Sequence, residues 1–151
     1  MKLAEALIEK KALEDKQYEL IERFRQSVKI QEGETSYEDC EAILNELEMC
    51  YQQSNHLLKK ITRTNQMVTI EGKTLVECLI DRKTIATQRD SMQKLYHYMT
   101  EKDYRISRAE IKTVLMMNPV EVNKKINQLS KELRLLDTKI QEKNWTVDLI
   151  E

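Results

Sequence analysis

Arg82 and Arg89 are the residues whose placement points most directly to chemistry. They occupy apolar positions one heptad apart in the stripe Leu75, Cys78, Arg82, Ile85, Arg89, Met92, Tyr96 and Met99. An arginine inside a helical bundle must be paired or must hold an anion, because burying it bare costs on the order of several kcal/mol. Three arrangements satisfy that demand. The pair can lie at the stripe's edge and reach water. It can form salt bridges with acids on a neighbouring helix or subunit and so fix register. It can also bind a phosphate- or carboxylate-bearing ligand. Lys10 and Gln17, between Leu3 and Phe24, are a similar lapse in the first helical stretch.

A second cluster gathers Tyr96, Tyr98, Tyr104, Arg105, Arg108, Glu110 and Lys112. Interleaved Tyr and Arg stack on bases or anchor a protein interface. The chain carries 26 acidic and 25 basic residues, so no global field draws it to nucleic acid or anionic lipid. The interface reading is therefore preferred.

Familiar catalysis finds no purchase in the rest of the chain. A di-metal carboxylate site in a helical bundle needs two inward Glu-x-x-His pairs. The two histidines, His56 and His97, are preceded three residues earlier by Gln53 and Lys94. Cys40, Cys50 and Cys78 show no zinc-ligand spacing, and three unpaired thiols fit a reducing cytoplasm. Gly33 and Gly72 are too far apart to build a phosphate-cradling loop, and there is no GxSxG. The sequence predicts neither metal nor cofactor.

The elements that position these residues are long helices. Of 151 residues, 34% are charged, 5% aromatic, two are Gly and one is Pro, a composition with few helix breakers. The periodicity predicts a helix from about 2 to 27, with Leu3, Ala6, Leu7, Leu13, Leu20, Ile21 and Phe24 on its apolar side. Gly33 breaks it. A second helix is expected to start near Thr35 or Ser36, where Thr35-x-x-Glu38 fits a capping box. Its stripe is Cys40, Leu44, Leu47, Tyr51, Ser54, Leu58 and Ile61, widened by Ile43, Cys50 and Leu57. "VTI" at 68–70 favours an extended chain and Glu71-Gly72 a turn.

A third helix is expected from Thr74 to about 103, with 104–117 partly extended. Asn118-Pro119 then opens a fourth as N-cap and first-turn proline. Its seam is the cleanest: Val122, Ile126, Leu129, Leu133, Leu136 and Ile140. Helices of about 26 to 30 residues reach about 40–45 Å at 1.5 Å per residue. The expected fold is all-α, an elongated antiparallel up-down-up-down four-helix bundle with short extended segments in the connections. Residues 1–151 form one helical domain in this reading.

That topology brings 65–73 and both termini to one end. The only tryptophan, Trp145, falls there with Val147, Leu149 and Ile150 just beyond it. The indole and this apolar tail can close the end of the bundle. The alternative is a subunit interface anchored by Trp145.

The phrases "MKLAEAL", "VKIQEGE", "RTN" at 63–65, "GKTL" at 72–75, "SRAEIK" at 107–112 and "LDTKIQEKNW" at 136–145 together resemble a family of small bacterial proteins of unknown function. Some of its members carry the label septicolysin. The resemblance spans nearly the whole chain, with "RTN" and "LDTKIQEKNW" its most specific parts. It implies a bacterial, mostly helical, oligomeric protein and transfers no catalytic or binding residues. The label implies pore formation, which the residues oppose. Charges at positions 2, 5, 9, 10 and 11 interrupt any signal-peptide core, and the longest aliphatic run is "VLMM" at 114–117.

The sequence thus predicts a cytoplasmic, non-enzymatic helical protein that self-associates, as a homo-oligomer and scaffold or binding module for a possible protein partner. No nucleic acid and no stable membrane insertion are expected. Tyr96, Tyr98, Tyr104, Arg105, Arg108 and Trp145 are the interface candidates. The alternative is a small-molecule or anion binder, or an unfamiliar enzyme, using Arg82 and Arg89; membrane lysis is a third reading.

Overall fold

The computed structural model describes residues 1–102 and 113–151. The described chain is all-α apart from one tiny hairpin. In order it contains α1 (Leu3–Val28), α2 (Cys40–Met67), β1 (Thr69–Ile70), β2 (Lys73–Thr74), α3 (Leu75–Thr100) and α4 (Pro119–Thr146). It falls into two compact units: residues 1–74 with 141–151, and residues 75–140. Among the described residues no helix is long and apolar enough to cross a membrane.

In the first unit α1 and α2 pack as an antiparallel pair. Lys16 meets Glu46 at 2.7 Å while Arg23, further along α1, meets Glu38, further back along the chain. Leu20, Ile43 and Cys50 are buried together, with Phe24 and Leu47 half-buried against them. The α2 seam differs from the predicted stripe by one column. Ile43, Cys50, Leu57, Ile61 and Thr64 are buried, whereas Leu44, Tyr51 and Leu58 stay open to solvent. Both columns flank the shared positions 40, 47, 54 and 61, so apolar periodicity alone does not choose between them.

The entry to α2 also differs. The helix starts at Cys40, capped by Asp39, whose Oδ1 accepts from the N–H groups of Glu41 at 2.9 Å and Ala42 at 3.4 Å. The expected Thr35–Glu38 box does not form because Glu38 is taken by the Arg23 fork. The Ser36 hydroxyl lies 2.8 Å from the carbonyl oxygen of buried Ser27, tying the connection back to the end of α1.

After Met67 the chain forms the hairpin that "VTI" and Glu71-Gly72 predict, pairing Thr69 with Thr74 and Ile70 with Lys73. Glu71 has φ 50° and Gly72 φ 84°. Positive φ at both central residues is the type I′ pattern, whose twist matches that of paired strands.

The last residues close the first unit. The Leu3 N–H donates to the Val147 carbonyl and the Leu149 N–H to the Met1 carbonyl, both at 2.9 Å. The Ile150 N–H donates to Thr64 Oγ1, also at 2.9 Å. The apolar tail does dock at this end, but without the indole: Trp145 is 55% exposed and its neighbour Asn144 is the buried residue.

In the second unit α3 begins directly after Thr74, and α4 opens as predicted. Asn118 Oδ1 accepts from the Val120 N–H at 3.0 Å, with Pro119 in the first turn, where its missing N–H costs nothing. Every member of the predicted α4 seam is buried or half-buried, from Val122 to Ile140. Residues 113–117 form no strand. The rest of the stretch expected to be partly extended lies outside the described residues.

Candidate functional site

The structure places each of the two arginines against a carboxylate. Arg82 on α3 reaches across to α4, its Nη1 3.2 Å from Asp137 Oδ1. Arg89 turns to its own neighbour, with Nε at 3.2 Å and Nη2 at 2.9 Å from Asp90 Oδ1. Both side chains are partly exposed. Arg82 thus takes the cross-helix salt bridge weighed above, and each guanidinium already holds a carboxylate. Of the interface candidates, Tyr96 is half-buried and Tyr98 exposed near the end of α3. Tyr104, Arg105 and Arg108 lie outside the described residues. Among the described residues no group of three or more His, Cys, Asp or Glu is placed to hold a metal ion, and Cys40 and Cys50 are free thiols.

Trp145 sits where the end of α4 meets the start of α1, lining a shallow groove with Ala4, Leu7, Ile8, Lys11 and Asn144. A half-exposed indole beside Ile8, itself exposed, is the kind of surface that anchors a protein contact. A larger apolar surface runs along α2. Leu44, Tyr51 and Leu58 are 48%, 51% and 46% exposed. They recur every seven residues, so they share one face of the helix. Tyr51 and Leu58 line a groove with Asn55, Lys59, Thr62 and Arg63. Tyr51 also borders a second groove with Gln17, Tyr18 and Ile21 of α1. Buried Gln17 Nε2 has no hydrogen-bond acceptor there among the described residues.

Sequence reasoning missed this face because it assigned Leu44, Tyr51 and Leu58 to the core. The columns 40/47/54/61, 43/50/57/64 and 44/51/58/65 each carry three apolar residues and one polar one, so no signal in the sequence separates the exposed column from the buried ones.

The electrostatics of the first unit are those of cross-linked surface pairs. The Arg23 guanidinium holds the Glu38 carboxyl below its ordinary value of 4.5 through hydrogen bonds and charge. Lys16 does the same for Glu46, and Lys2 holds Asp148 below 3.8. A carboxyl whose pKa is lower folded than unfolded contributes stability that is whole above the unfolded value and drains as pH falls through the folded one. The partners Lys16 and Arg23 are raised, so their contribution persists until pH exceeds 10.5. The expected urea midpoint is level through neutral pH and declines below pH 4.5. That decline should be shallower in a Glu38→Gln, Glu46→Gln double variant. An equal acid slope in the two proteins would show that the pairs do not set it.

Residues 10–149 match the model of a family described as "Family of unknown function (DUF6847)". The chain belongs to this family. It is also similar to a solved structure, a functionally unknown conserved protein from Corynebacterium diphtheriae, with 36% identity and a TM-score of 0.92. The match covers 99% of each chain. No curated protein matches. The family and the neighbouring structure therefore support the helical fold and leave the function to be argued from the surface.

Proposed function

We propose that the protein is a cytoplasmic, non-enzymatic helical module that self-associates and acts through the assembly it forms. One observation carries this reading. The inner face of α2 is filled by α1, yet its outer face presents Leu44, Tyr51 and Leu58 in heptad register, half open to water. Apolar residues at heptad spacing on one helix face are the seam that a second helix covers. Arg82 and Arg89 as anion clamps remain the second reading, but an anion would have to displace Asp137 and Asp90. Lysis by insertion, implied by the septicolysin label, has less support, since none of the described helices is a membrane span.

Light scattering behind a sizing column tests self-association. The expected mass is a multiple of 18.0 kDa at micromolar protein. A monomer at every concentration would sink the reading.

A further inference from the structure

We propose that two copies of the chain dock through α2 in antiparallel fashion, about a two-fold axis at Tyr51. The proposal rests on the self-association reading and names its surface. With Tyr51 on the axis, Leu44 of one copy faces Leu58 of the second copy, and the same contact repeats on the other side. This is the isologous geometry of a two-fold interface.

Charge selects the occupant and its direction. From Cys40 to Leu58 helix α2 carries Glu41, Glu46 and Glu48 and no Lys or Arg. From Lys59 to Met67 it carries Lys59, Lys60 and Arg63 and no acid. A second α2 laid antiparallel about Tyr51 sets residues 40–43 of each copy against 59–62 of the other, so Glu41 comes within reach of Lys59 of the second copy. Parallel docking would set like charges together, which costs energy along the whole contact. Opposed helix dipoles favour the same direction. Near the axis the exposed Tyr18 and Tyr51 of each copy bring four rings together, matching the aromatic enrichment of interface cores. The Tyr51 hydroxyl of the second copy is also an acceptor of the kind that Gln17 Nε2 lacks.

The test uses charges placed at the two facing leucines. Leu44→Lys and Leu58→Glu, each alone, should halve the mass seen for the wild-type chain while leaving its helical circular dichroism unchanged, because both positions are exposed. Mixed in equal amounts, the two variants should regain the lost mass, since the antiparallel pair then has one Lys–Glu layer and one Leu–Leu layer. Single variants that keep the wild-type mass would overturn the proposal while self-association stands. Single variants that dissociate but do not reassociate on mixing would overturn the antiparallel arrangement. A monomeric wild type would remove the self-association reading, and this surface with it. Should either charged variant fail to fold, Tyr51→Arg places two guanidinium groups on the axis, and unchanged mass there counts equally against the proposal.

Discussion

Leu20→Ala is expected to lower the stability of the α1–α2 pair by about 3 kcal/mol, within the range of large-to-small core substitutions. Leu20 is 0% exposed and touches a cluster in which Ile43 and Cys50 are also buried. Replacing its isobutyl group by a methyl takes away the transfer free energy of the three lost carbons and leaves a void between two packed helices. Phe24 and Leu47 are only half-buried beside it, so some collapse is possible, and the expected cost stays below the upper end of the range. Urea unfolding checks this through the midpoint at unchanged slope. A loss under about 1 kcal/mol would mean that this seam is not closely packed. The consequence reaches the outer surface as well. Packing against Leu20 sets the rotation of α2, and that rotation decides whether Leu44 or Ile43 faces outward. The same substitution should therefore weaken any assembly built on the outer column.

The α4 seam shows what was legible in the sequence. One apolar residue per turn from Val122 to Ile140, with Asn118-Pro119 before it, specifies a helix, its start and its buried side together. The Glu71-Gly72 turn was legible for a similar reason: its chemistry is local, and positive φ at Gly72 needs no tertiary partner. Helix α2 was legible as a helix but not in its rotation. Apolar residues occupy three adjacent columns, and a partner that sequence periodicity does not contain chooses which two are covered. The Thr35–Glu38 box failed on a similar ground. Local spacing permits it, but Arg23, 15 residues away from Glu38, competes for that carboxylate and wins with a charged fork. The arginine stripe was legible only as a question. Arg82 found its acid on α4 and Arg89 found one at the next residue, and nothing in a heptad count distinguishes a cross-helix partner from a neighbour.

Thr64→Val should loosen the last residues of the chain without altering the shape of the core. Thr64 is 0% exposed, and its hydroxyl has two tasks. It donates to the Lys60 carbonyl at 2.8 Å and accepts from the Ile150 N–H at 2.9 Å. Valine fills nearly the same volume with a methyl group in place of the hydroxyl, so packing survives while the Ile150 N–H loses its acceptor. Leaving a half-buried donor unpaired costs about 1–3 kcal/mol. Most of that cost can be avoided if the tail detaches and returns the N–H to water. The expected result is faster amide exchange at Ile150, with exchange at Leu3 much less affected, because Leu3 is held by the Val147 carbonyl and not by Thr64. Thr64→Ser keeps the hydroxyl and gives up one buried methyl group. It should preserve the Ile150 protection while costing a little global stability, the reverse pattern to valine. Equal exchange at Ile150 in the wild type and the valine variant would show that the tail is held by its apolar contacts and by the Lys2–Asp148 pair at 2.9 Å, not by the hydroxyl. Asn144 and Trp145 lead directly into this tail, and the indole lines a groove with Ala4 and Ile8. A variant that frees the tail is therefore expected to blur the Trp145 groove while leaving the α2 surface intact, which separates the two exposed apolar regions of the first unit by experiment.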